Sequence, residues 1–274
     1  MNDPYLLLQM LVLLLAVGAF AGILAGLLGV GGGVVLVPAY YFSFETLGYA
    51  SEQLMQICVA TSLATIVVTS LRSVLSHNRK GAVDWAILRG WAAGIVLGAV
   101  VGTLVVAQLR TATLQLIFAG LGFVVAGYFG LGREHWRLGL AMPKGILRAV
   151  LSPLIGFISV LVGIGGGSLG VPLMTLYGTP IHRAVATAAG FGMLIAVPSV
   201  IGFLMLPIDA AARPPLTVGS VNLAGFGIVI AMTLITAPIG ARLAHATNGK
   251  LLRGAFAVFI LVVAANMLRK ALGA

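Results

Sequence analysis

Hydrophobic positions in this chain do not alternate with polar ones over any sustained length. They run in blocks, separated by short polar or charged stretches. A block of about 20 apolar residues is what a helix needs to cross roughly 30 Å of hydrocarbon. On that basis the chain is expected to form helices near residues 5–28, 54–75, 86–107, 114–131, 146–162, 184–206, 221–243 and 251–268. Two further apolar stubs, 34–44 and 168–177, each follow a run of glycines and are each about half a membrane deep.

The glycine runs carry the strongest local signal. One is Gly29-Val-Gly-Gly-Gly33, ending five residues before Pro38; the other is Gly163-Ile-Gly-Gly-Gly167, ending five residues before Pro172. Helix-breaking residues inside an apolar stretch leave backbone groups that lipid cannot satisfy, so such a break has to line a cavity or be buried in protein. Breaks at corresponding places in two halves of a membrane chain point to a transporter's substrate site. Register between the halves continues beyond the glycines: Val59-Ala60-Thr61 corresponds to Val185-Ala186-Thr187, and Gly98 to Gly102 corresponds to Thr236 to Gly240.

These features predict an all-α, polytopic integral membrane protein. It has about eight transmembrane elements in two homologous four-element repeats, the first element of each broken at its glycine motif. The whole chain, 1–274, reads as one domain: repeat one at about 5–131, a basic cytoplasmic linker at about 132–145, and repeat two at about 146–270. Whether each broken element crosses the membrane or turns back is left open. Crossing gives parallel repeats and turning back gives inverted ones, and the distribution of Lys and Arg favours inversion only slightly.

Composition agrees with the membrane reading. Sixty per cent of the residues are hydrophobic and 8% are charged, and the mean hydropathy is +1.13, values outside the range of a water-soluble globule. The net charge of +10 comes from basic residues scattered through short loops, which argues against nucleic acid as a partner. Ala19-Phe20-Ala21 resembles a signal-peptide cleavage site, but the first residues lack a basic region and the apolar run is long, so the segment is taken as the first membrane element. One cysteine, Cys58, leaves no internal disulfide to form and reads as a small packing residue.

A helix restarted after Gly31, Gly32 and Gly33, or after Gly165, Gly166 and Gly167, offers free amide N–H groups and the positive end of its dipole, a combination that binds anions. Close helix packing is the competing role for glycine; Gly18, Gly22 and Gly26, spaced by four, suit it, whereas adjacent triples do not. Thr61, Ser62, Thr187 and Ser168 are the hydroxyl candidates for contacting substrate, against the ordinary habit of Ser and Thr of bonding their own backbone. His77 and Asp84 are the candidates for proton coupling, since no carboxylate lies mid-membrane. No spacing suits a metal, no motif suits a nucleotide and no triad suits an enzyme, so no cofactor, metal or catalytic residue is expected.

The doubled glycine motif, the Ala-Thr early in the following helix, and Ser73-x-x-x-His77 followed by Val83-Asp84-Trp85 resemble the TauE/SafE family of sulfite exporters and sulfonate-uptake permeases. The resemblance spans about Gly22 to Leu268. It implies transport of a small sulfur-containing anion, of the sulfite, sulfonate or sulfoacetate class, across the bacterial inner membrane. It also adds Asn222, and Arg242 within Pro238-Ile-Gly-Ala-Arg242, to the substrate-binding candidates. The partners so implied are the anion and the lipid bilayer, with a homodimer left open. An anion channel and a non-transporting membrane scaffold are the alternatives.

Overall fold

A computed structural model describes residues 4–28, 33–131, 137–209, 213–246 and 249–273. The described residues form ten helices: α1 (Pro4–Leu28), α2 (Gly33–Thr46), α3 (Leu54–Arg79), α4 (Trp85–Val106), α5 (Thr111–Leu131), α6 (Gly145–Val162), α7 (Gly166–Leu176), α8 (Ile181–Met205), α9 (Leu223–Ala246) and α10 (Gly249–Ala271). A two-residue antiparallel pair, β1 (Thr217–Val218) and β2 (Val221–Asn222), precedes α9. The predicted spans coincide with helices throughout. The count differs, because each glycine break divides its element into two separate helices, giving ten in place of eight.

Packing follows a matched pattern. α1 lies along α9 and α6 along α4, while α5 pairs with α10 and α3 with α8; each short helix rests on the long helix that follows it, α2 on α3 and α7 on α8. Close approach in the first two pairs depends on small residues, as membrane helices require. A Cβ on Gly18 would sit 2.9 Å from Met232 Cβ, and one on Gly22 would collide with Thr236 Oγ1. On the other side Gly98 faces the Pro153 carbonyl, and Gly156 faces the Ile95 carbonyl, with no room for a side chain. The Gly18 and Gly22 spacing therefore serves packing, as its period suggested.

The direction of each helix follows from these contacts. At one end of the bundle, here the Glu52 end, the Thr111 N–H donates to the Glu52 carbonyl, the Asp209 N–H donates to Gln53, and Lys270 Nζ bonds Glu45 Oε1 at 2.9 Å. At the other, the Asp84 end, Arg183 meets Asp84 and the Leu138 N–H donates to the Leu176 carbonyl. α1 runs parallel to α9, away from the Glu52 end, yet α2 finishes at that end. Likewise α6 runs parallel to α4, away from the Asp84 end, and α7 returns to it. Each glycine break is thus a turn-back, and the two hairpins enter from opposite ends. This settles the direction that loop charge alone left open.

Candidate functional site

The second glycine run shows how the chain turns inside an apolar environment. α6 ends at Gly163, whose φ of +65° is open to glycine and strained for other residues. The Ile164 N–H reaches back to the Ser159 carbonyl and the Gly163 N–H to the Val160 carbonyl, the paired bonds of a Schellman end. Gly165 then precedes α7 in extended conformation. The first N–H groups of α7, at Gly166, Gly167 and Ser168, have no acceptor within their own helix.

The start of α2 meets the second break. A Cβ on Gly33 would lie 2.8 Å from Ile164 Cα and 3.1 Å from both the Gly163 carbonyl oxygen and the Gly165 nitrogen. Only glycine lets the start of α2 approach the α6–α7 turn so closely. Gly31 and Gly32 lie outside the described residues.

Beside the start of α7 is a cavity of about 60 Å³. Gly165, Gly166 and Gly167 form one wall, α3 contributes Ile66, Thr69, Ser70 and Ser73, and α8 contributes Val185, Ala188 and Ala189. None of these lining residues is ionisable. The Ser70 and Ser73 hydroxyls make no hydrogen bond among the described residues, whereas Thr69 Oγ1 donates to the Thr65 carbonyl at 3.1 Å. Amide and hydroxyl donors with no carboxylate suit an anion held by dipoles rather than by a counter-charge. Roughly 10–15 Å³ of such volume holds one water, so the space accepts a group the size of a small oxyanion.

The sequence candidates fall into three sets. Gly165, Gly166 and Gly167 line the cavity, and Ser168 is buried next to them with its hydroxyl unpartnered among the described residues. Thr61, Thr187, Asn222 and Asp84 form two equivalent ties. Thr61 Oγ1 accepts from the Asn222 N–H at 3.0 Å, and Asn222 Oδ1 caps α9 by accepting from the Gly225 N–H at 2.7 Å. Thr187 Oγ1 accepts from the Asp84 N–H at 2.9 Å, and Asp84 Oδ1 caps α4 by accepting from the Ala86 and Ile87 N–H groups at 3.1 Å. Ser62 Oγ donates to the Gly163 carbonyl at 2.8 Å, across the meeting of the breaks.

Arg242 and His77 belong to the third set. Arg242 is exposed near the end of α9 and His77 is half-buried in the last turn of α3; both are at the Asp84 end, and neither lines the cavity. Asp84 is also engaged by Arg183 at 3.3 Å. The polar cavity-lining residues of α3 that were not among the sequence's substrate-binding candidates are Thr69, Ser70 and Ser73. Their signal was present, because Ile66, Thr69, Ser70 and Ser73 share one face of α3 at helical spacing.

The family model described as "Sulfite exporter TauE/SafE" matches residues 14–267. The chain belongs to the TauE/SafE family. A "Probable membrane transporter protein" of Haemophilus influenzae is 31% identical over 260 residues, covering 95% of this chain and 98% of that protein. A "Probable membrane transporter protein" of Methanocaldococcus jannaschii is 30% identical, covering 72% and 73% respectively. No solved structure matches the chain. With seven helices long and apolar enough to span a bilayer among the described residues, this TauE/SafE chain is a multi-pass membrane transporter.

Proposed function

We propose that this chain is a secondary transporter that moves a small sulfur-containing anion of the sulfite, sulfonate or sulfoacetate class across the bacterial inner membrane by alternating access. The observation that carries the reading is the uncharged, donor-lined cavity at the α7 N-terminus. The Gly166 and Gly167 amides and the Ser70 and Ser73 hydroxyls bind the oxyanion head, and the helix dipole stabilises its charge. The family's name supports the sulfur class.

In this reading the five helices α1–α5 and the five α6–α10 are inverted repeats about an axis in the membrane plane, and the site lies between them. Arg79, Lys80, Arg137, Lys144, Arg148 and Arg183 gather at the Asp84 end, against Arg110, Arg213, Arg269 and Lys270 at the other. By the positive-inside tendency the Asp84 end faces the cytoplasm, and the cavity opens toward it.

The test is flux of radiolabelled sulfite and of a sulfonate into proteoliposomes. Saturable uptake with counterflow is expected, and Ser70→Ala with Ser73→Ala together should raise KM about a hundredfold or more, as for two lost charge-assisted hydrogen bonds. Wild-type protein that moves no sulfur anion, or a double variant with unchanged KM, overturns the proposal.

A further inference from the structure

The two Thr ties set an exchange rule between the halves. Thr61 of α3 holds the cap of α9, and Thr187 of α8, 126 residues further on, holds the cap of α4. Applied to the cavity, the same shift carries Ser73 of α3 onto Ser199 of α8 and carries Ala188 and Ala189 of α8 back onto Ser62 and Leu63 of α3. The counterpart space is therefore bounded by Val59, Ser62 and Leu63 on one helix and Ile195, Ala196 and Ser199 on the other.

Burial differs between the two spaces. All six of those residues are 0% exposed, whereas of the α3 and α8 residues that line the cavity Thr69, Ser70, Ser73, Val185 and Ala189 are only partly buried and Ile66 and Ala188 are fully buried. The α6–α7 turn packs against the α3 side of the counterpart space. A Cβ on Gly163 would lie 2.6 Å from Val37 Cγ2 and 3.1 Å from Val59 Cα, and the Gly163 carbonyl takes the Ser62 hydroxyl. Ser199 Oγ meanwhile donates to the Ile195 carbonyl at 2.8 Å. One half-site is open at the Asp84 end, and its equivalent near the Glu52 end is closed.

We infer that Ser62 and Ser199 belong to a second anion half-site, reciprocal to Ser70 and Ser73, which opens toward the Glu52 end when the Ser62 to Gly163 hydrogen bond breaks and the α6–α7 turn withdraws. The inference rests on the transport reading and adds to it the residues that meet the anion on the far side. In the present state those hydroxyls are occupied by backbone carbonyls. In the reciprocal state they turn to the anion, while Ser70 and Ser73 become enclosed.

The experiment uses the full chain with Cys58→Ala, which removes its single cysteine, and single cysteines at Ser73, Ser199 or Leu63. Each is reconstituted in sealed vesicles of defined orientation and exposed to a membrane-impermeant maleimide, with sulfite flux measured on the same vesicles. Ser73→Cys should react from the Asp84 end only. Ser199→Cys and Leu63→Cys should react from the Glu52 end only, and about tenfold faster with Ser62→Ala added, as expected when one buried hydrogen bond no longer favours the closed state. Flux-competent vesicles in which both reporters stay unreactive, or react from the Asp84 end, overturn the inference and leave the transport reading standing. Absent sulfite flux through the Cys58→Ala chain carrying no added cysteine, with the expected labelling of the reporters, overturns the substrate assignment and leaves the second half-site standing.

Discussion

Thr61→Val separates a structural hydroxyl from a substrate ligand. Thr61 and Asn222 are both 0% exposed. Valine preserves the shape of threonine but removes the oxygen that accepts the Asn222 N–H at 3.0 Å. The bond that Thr61 donates to the Ile57 carbonyl at 2.7 Å contributes little, because that carbonyl keeps its helical partner. The Asn222 N–H precedes α9 and has no such alternative, and stranding a buried donor costs about 1–3 kcal/mol. Unfolding of the detergent-purified protein should therefore show a loss in that range for Thr61→Val. Thr61→Ser keeps the oxygen and should lose about 1 kcal/mol or less, the value of a methyl group. Thr187→Val should cost less than Thr61→Val, because the Asp84 side chain it supports is 24% exposed and water reaches the tie. KM for the transported anion should stay within about twofold, since the proposed site meets the anion with the donors of the cavity rather than with this oxygen. A Thr61→Val protein that unfolds with wild type while its KM rises tenfold would refute the reasoning and return Thr61 to the substrate site.

Other outcomes follow from single contacts. Gly98→Val places a side chain in the Pro153 carbonyl and should force α4 from α6 at a cost above the ~1–3 kcal/mol of ordinary overpacking; size-exclusion of the detergent extract should show aggregate, and a normal folded peak refutes the contact. Gly120→Ala, with nothing within 4 Å of the new Cβ, should elute as wild type. Lys270→Ala breaks a pair with Glu45 in which the side chains are 33% and 23% exposed; it should cost about 0.5–1 kcal/mol in low salt and less in high salt, and a salt-independent loss on denaturation would show that charge is not the cause. Wild-type Cys58, 0% exposed, should take no impermeant maleimide until the protein unfolds, and labelling of native protein would place it on an accessible surface.

Much of the fold was legible because a bilayer asks so little of a sequence. Length and apolarity alone placed every helix of the bundle, and the glycine runs marked where two of them turn. The candidate site was legible only in part. Gly165 to Gly167 were found because adjacent glycines in lipid demand a reason. Ser70 was passed over, and Ser73 was read only as part of a family motif, because a hydroxyl lining a cavity has the same spelling as one bonded to its own backbone. Thr61 and Thr187 were recognised as equivalent, yet their partners across the bundle, the backbone N–H groups of Asn222 and Asp84, leave no trace in side-chain chemistry.

The sequence by itself determined that this is a helical membrane protein, where its helices lie and where the backbone must break, since hydrocarbon thickness and unsatisfied backbone groups act on local stretches of chain. Tertiary structure alone decided that the chain turns back rather than crosses at each break, that the start of α2 meets the α6–α7 turn at Gly33 and Ile164, and that a cavity opens beside α7 while the residues related to its lining by the 126-residue shift are buried. Direction and enclosure depend on which helices lie against each other. In a chain where nearly every face is apolar, that choice is made by the fit of glycines against neighbouring backbones and by a few buried hydrogen bonds, rather than by any pattern along the sequence.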